Sequence, residues 1–139
     1  MNEKTKPIVP SITVDGSWLP KVGMIQYRFV DTQSSMVLYD SGPIMNGTNN
    51  VAEYLALTSA MIYCHKKGLN LPIYSDSVTA LAWVRKRKIN TDMSKITDKK
   101  LLSVLSVTEE FLKKHGANFT LLKWDTKQWG ENRADFGRK

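Results

Sequence analysis

One cysteine, Cys64, occurs in 139 residues, so no internal disulfide can form and a reducing cytosol is the natural setting. Its thiol lies in an apolar helical stretch and reads as a packed side chain, not a nucleophile. No apolar run approaches the roughly 20 residues that a membrane span requires. The first ten residues hold Lys4, Lys6, Pro7 and Pro10 and lack the apolar segment of a secretory signal. Internal repeats, low-complexity tracts and long linkers are missing, which leaves one domain. Acids are the scarcer charge, 13 against 20 basic residues for a formal +7. That excess points toward a polyanionic partner such as nucleic acid, without naming a specific one. The composition is otherwise globular: 42% apolar and 24% charged residues exclude a disordered or fibrous chain.

Ile12-Thr13-Val14-Asp15-Gly16-Ser17-Trp18 is the stretch around which the rest is organised. Alternating Ile12, Thr13 and Val14 read as a strand that ends in an acid, followed by glycine and a small hydroxyl residue. Met24 to Val30 and Ser35 to Tyr39 complete a three-stranded antiparallel meander. A polar loop through Asn46 to Asn50 leads into a helix over Val51 to Lys67. The Asn pair supplies candidate N-caps and Gly68 the stop. Leu71 to Ser77 reads as a fourth strand ending at Asp76, then a helix over Val78 to Arg87. Thr97 to His115 is an amphipathic helix, Asn118 to Trp124 a fifth strand, and Asn132 to Lys139 a last short helix beyond a Trp-rich loop. The pattern is α/β, a mixed sheet with helices on its faces.

Acids recur at marked places. Asp15 and Asp76 sit at strand exits, where ligands of such sheets gather. Glu53 is the only acid of the central helix, and Asp135 lies in the last. Each has an ordinary explanation. Asp15-Gly16 is a common turn pair, and Glu53 is favourably placed in a first helical turn. Asp76 could cap the helix it precedes. Asp135 could form a weak surface pair with Arg133 or Arg138. Together, four carboxylates at one sheet edge would repel one another unless cations offset them. Oxygen donors suit Mg²⁺ or Mn²⁺, and two such ions can support phosphodiester cleavage.

Val14-Asp15-Gly16-Ser17, Thr48-Asn49-Asn50-Val51-Ala52-Glu53, Tyr74-Ser75-Asp76-Ser77 and Asn132-Arg133-Ala134-Asp135, in this order, resemble type 1 ribonuclease H. The resemblance implies the ribonuclease H-like fold, a five-stranded mixed sheet of order 3-2-1-4-5 with helices on both faces. It assigns residues 11–139 to that domain, after a flexible N-terminal tail over residues 1–10. It further implies hydrolysis of the RNA strand of RNA/DNA hybrids, leaving 5′-phosphate and 3′-hydroxyl ends. Asp15, Glu53, Asp76 and Asp135 would be catalytic and hold two Mg²⁺ ions, with Mn²⁺ able to substitute. Gly16, Ser17, Thr48, Asn49 and Asn50 would contact the hybrid, the asparagines testing for the 2′-hydroxyl. The basic run with Arg85, Lys86 and Lys88 reads as a partial hybrid-binding ridge, with either a stacking or a packing role open for the adjacent Trp83. A cytoplasmic monomer with no obligate protein partner and no membrane contact is the expected state.

This sequence departs from the family in places. The loop Asp125 to Glu131 lacks the histidine usual there, leaving Lys127, Gln128 or Glu131 as candidate substitutes. Val78 stands where some members carry a polar side chain. Two competing readings stay open: a catalytically weak module that binds hybrid or double-stranded RNA, and another phosphotransfer nuclease of the wider ribonuclease H-like group.

Overall fold

A computed structural model describes residues 5–135. Strands β1 (Ile12–Leu19), β2 (Met24–Asp31) and β3 (Val37–Asp40) form the antiparallel meander. Helix α1 (Asn49–Lys67) follows, then β4 (Ile73–Ser75), α2 (Val78–Lys86), α3 (Lys99–His115), β5 (Leu121–Lys123) and a single helical turn, α4 (Thr126–Trp129). Strand order is β3-β2-β1-β4-β5, as expected. The β1–β4 and β4–β5 pairs are parallel.

Strand alternation sorts the two faces. Ile12, Val14, Ile25, Tyr27, Phe29 and Ile73 enter one core with α1. Tyr54 on α1 is fully buried, and its hydroxyl donates to Thr108 of α3 at 2.9 Å. Thr13, Asp15 and Ser17 therefore point to the opposite face. There Thr32 Oγ1 lies 2.7 Å from both Ser11 Oγ and Thr13 Oγ1, which satisfies the buried hydroxyls. Tyr74, Trp124 and Trp129 also gather on this second face with edge-on rings. The N-terminal segment reaches the same cluster: Ile8 N donates to the Tyr74 hydroxyl, and Trp129 Nε1 donates to Thr5 O at 2.9 Å.

Four expectations need correction. Strand β1 continues past Asp15 to Leu19, because Gly16 to Leu19 keep pairing with β2. Only the β4 side of β1 parts company near Asp15. The cap of α1 is Thr48, which accepts from Val51 N, so Asn49 and Asn50 begin the helix instead of capping it. Glu53 consequently falls beyond the first turn. The Trp-rich loop contains α4, capped by Asp125. Asn132 to Asp135 make a turn closed by Asp135 N donating to Asn132 O at 3.0 Å, not a helix; residues 136–139 of the expected last helix lie outside the described residues. Among the described residues, no helix is long and apolar enough to cross a membrane.

Candidate metal centre

The parallel register Ile12↔Ile73 and Thr13↔Tyr74, carried two residues on, sets Asp15 level with Asp76. β4 ends at Ser75, so Asp76 leaves the sheet beside Asp15. Glu53 arrives from α1 on the other face and can do so because residue 16 is glycine. A Cβ there would stand 2.6 Å from Ala52 C and 2.7 Å from Glu53 N. With that space open, the Gly16 amide donates to Glu53 Oε1 at 2.8 Å. Asp15, Glu53 and Asp76 each bring a carboxylate oxygen within 4.8 Å of the others. Asp15 and Glu53 are buried and Asp76 is half-buried.

Such a cluster is electrostatically costly without a counter-charge. Burial, then the Asp15 and Asp76 charges, push the Glu53 carboxyl up to about 9, against the lowering effect of the Gly16 amide. Glu53 Oε2 is buried and has no hydrogen-bond partner among the described residues. A divalent cation offers the partner that this oxygen lacks and offsets the crowding. Three hard carboxylate donors fit Mg²⁺ or Mn²⁺ better than a soft metal.

Two of the ordinary explanations for the acids fall away. Ser77, not Asp76, caps α2, accepting from Ala80 N at 3.1 Å. Glu53 lies outside the first turn, where the helix dipole acts most strongly. Arg133 stacks over the Trp124 ring, 5.3 Å from its centroid.

Asp135 does not join the three-acid cluster, but its segment is fastened alongside. Asn132 Nδ2 donates to Val14 O at 2.9 Å, and Asn132 Oδ1 accepts from Ala134 N at 2.7 Å. Arg28 Nε donates to Ala134 O at 2.7 Å, and a second guanidinium nitrogen donates to Asp135 O. Arg28 was not foreseen from sequence. Its position opposite Asp15 becomes visible only when the strand register is known.

The other expected site residues divide. Ser17 is buried beside Asp15, while Thr48, Asn49 and Asn50 are exposed at the start of α1. Trp83 is only 8% exposed and packs on Tyr54 with ring centroids 5.9 Å apart, so it is a packing residue with little surface for stacking. Arg85 is turned to Leu121 O, to which it donates at 3.1 Å. Lys86 and Lys88 line an open groove of about 460 Å³ with Val78, Thr79 and Asn90. Gln128 is occupied, donating to Asp125 Oδ2 and accepting from Thr5 N. Lys127 and Glu131 are exposed.

One solved structure is similar to this chain in fold. The metagenomic LC11-RNase H1 from compost is 19% identical, covering 86% of this chain and 87% of that one, with a TM-score of 0.53. The chain has the ribonuclease H fold. Two further ribonuclease H structures align with TM-scores too low to add weight. The N-terminal RNase H domain of a Mycobacterium tuberculosis protein is 21% identical, covers 83% of this chain and 80% of that one, and scores 0.49. RNase H1 of Halobacterium salinarum is 17% identical, covers 81% and 80%, and scores 0.48. No protein-family model matches the chain. At these identities the ribonuclease H likeness is one of fold, and chemistry must be argued from the side chains.

Proposed function

We propose that the chain is an endoribonuclease that hydrolyses the RNA strand of RNA/DNA hybrids, leaving 5′-phosphate and 3′-hydroxyl ends. The observation that carries this reading is the convergence of Asp15, Glu53 and Asp76 within 4.8 Å at the end of β4. Two Mg²⁺ ions held there, with Mn²⁺ as a substitute, would lower the pKa of water and stabilise the departing oxygen. The protein's own part is to hold the carboxylates, orient the strand and choose RNA.

Asp15 and Glu53 offer buried oxygens whose ionisation a cation favours. Asn49 and Asn50, exposed on the first turn of α1, have amides able to donate to and accept from a 2′-hydroxyl. Thr48 is exposed beside them, and Ser17 is buried next to Asp15. Lys86 ends α2, about 12 Å from its start at the 1.5 Å helical rise, and with Lys88 just beyond the helix suits a phosphate backbone. Lys127 and Glu131 remain the exposed candidates for a loop assistant. We assign residues 11–139 to the nuclease domain, acting as a monomer in a reducing cytoplasm.

A second reading, a module that holds hybrid without cutting it, draws support from Asp135 standing outside the three-acid cluster. The two are separated by incubating purified protein with Mg²⁺ and a hybrid carrying labelled RNA or labelled DNA. The nuclease reading expects RNA fragments only, and none from Asp15→Asn. Retention of intact hybrid by wild type, in Mg²⁺ and in Mn²⁺ alike, would favour the module.

A further inference from the structure

We propose that Arg28 is the positioning residue that holds the Asp135 backbone, and with it the direction of the Asp135 side chain, beside the three-acid cluster. This inference rests on the nuclease reading above. Arg28 lies on β2 directly across from Asp15 in the antiparallel register, so both side chains rise from the same sheet face. Its guanidinium takes two consecutive carbonyls, those of Ala134 and Asp135. The first belongs to the peptide plane that precedes the Asp135 Cα, and the second to the plane that follows it. Holding both planes fixes φ and ψ at that one residue, and with them the direction in which its carboxylate leaves the backbone.

The arrangement needs an arginine. A planar guanidinium presents several N–H donors in a rigid fork, whereas a lysine ammonium is a flexible point charge. A second fastener works from the other side, where Asn132 Nδ2 donates to Val14 O, one residue before Asp15. The pair ties the terminal turn to β1 and β2 at the level of the cluster. The segment has no regular strand or helix of its own between Gly130 and Asp135. Its placement therefore depends on such side-chain contacts.

Arg28→Met keeps the aliphatic stem and removes the fork; Arg28→Lys keeps the charge alone. Three readouts on purified full-length protein decide the matter. The first is hydrogen exchange at the Asp135 amide, which donates to Asn132 O at 3.0 Å, with α1 amides as the internal reference. The second is Mn²⁺ affinity by calorimetry. The third is hybrid cleavage by each single variant, by Asp135→Asn and by the double variant.

Both Arg28 variants should speed Asp135 exchange on the order of tenfold or more while α1 is unchanged. Mn²⁺ affinity or kcat should fall on the order of 10- to 100-fold, as when an oriented ligand loses its support. Asp135→Asn added to Arg28→Met should bring little further loss. Unchanged exchange in Arg28→Met overturns the proposal. So does Arg28→Lys behaving as wild type, since charge alone would then suffice, and so do losses that multiply in the double variant. A wild type that cuts no hybrid rejects the nuclease reading, yet exchange still reports whether Arg28 holds Asp135.

Discussion

Gly16 donates its amide hydrogen to Glu53 Oε1 at 2.8 Å, where β1 lies against the backbone of α1. The contact exists because nothing projects from residue 16, and it brings a helix-borne carboxylate to the strand that carries Asp15.

Gly16→Ala should therefore damage both stability and the site. The added methyl would lie 2.6 Å from Ala52 C, a backbone atom that cannot swing away. Overpacking of this kind costs about 1–3 kcal/mol, and relief requires α1 to shift outward with Glu53. Urea unfolding should show the loss, and Mn²⁺ should no longer raise the melting temperature.

Without metal, Glu53 should make stability fall as pH rises. Its folded value of about 9 lies above the 4.5 of an ordinary glutamate, so between these values the folded state holds a proton that the unfolded chain has released. Stability then declines with pH across that window and levels off outside it. Melting in EDTA from pH 4 to 9 should show Glu53→Gln gaining steadily on wild type. Mg²⁺ or Mn²⁺ should raise the wild-type melting temperature more at pH 8 than at pH 5, because at low pH it must displace a proton. A constant gap between wild type and variant would refute the assignment.

Asn49→Ala and Asn50→Ala should leave the fold intact, since exposed positions away from caps change stability by about 0.5 kcal/mol or less. Cleavage of hybrid should weaken on the order of tenfold for each lost hydrogen bond of about 1.4 kcal/mol. A chimeric strand with a single ribonucleotide among deoxynucleotides would report the loss of 2′-hydroxyl selection most sharply.

Much of the architecture was legible because it rests on periodicity. Alternation in β1 and β2 and the apolar run of α1 led to the right elements and, through the family resemblance, to the right strand order. Ends were harder. The end of β1 was misplaced because Asp15-Gly16 looks like a turn, whereas pairing with β2 carries the strand to Leu19. Caps went to the wrong residues for a related reason: Thr48, Asn49 and Asn50 are all competent, and only the backbone geometry selects Thr48. Sequence left open whether Trp83 stacks on nucleic acid or packs inside, because its burial against Tyr54 depends on how α2 packs on α1. Three of the four acids could be gathered from order and context alone. Arg28 could not, because its role comes from a cross-strand register and from a turn more than 100 positions away.

Titration of metal-free protein with Mn²⁺, followed by calorimetry, tests whether Asp15, Glu53 and Asp76 form a divalent-cation site. Wild type should bind with an affinity that falls at least tenfold in Asp15→Asn and in Glu53→Gln, each losing a charged ligand. Equal Mn²⁺ binding by wild type and both variants, or no binding by any of them, would contradict such a site.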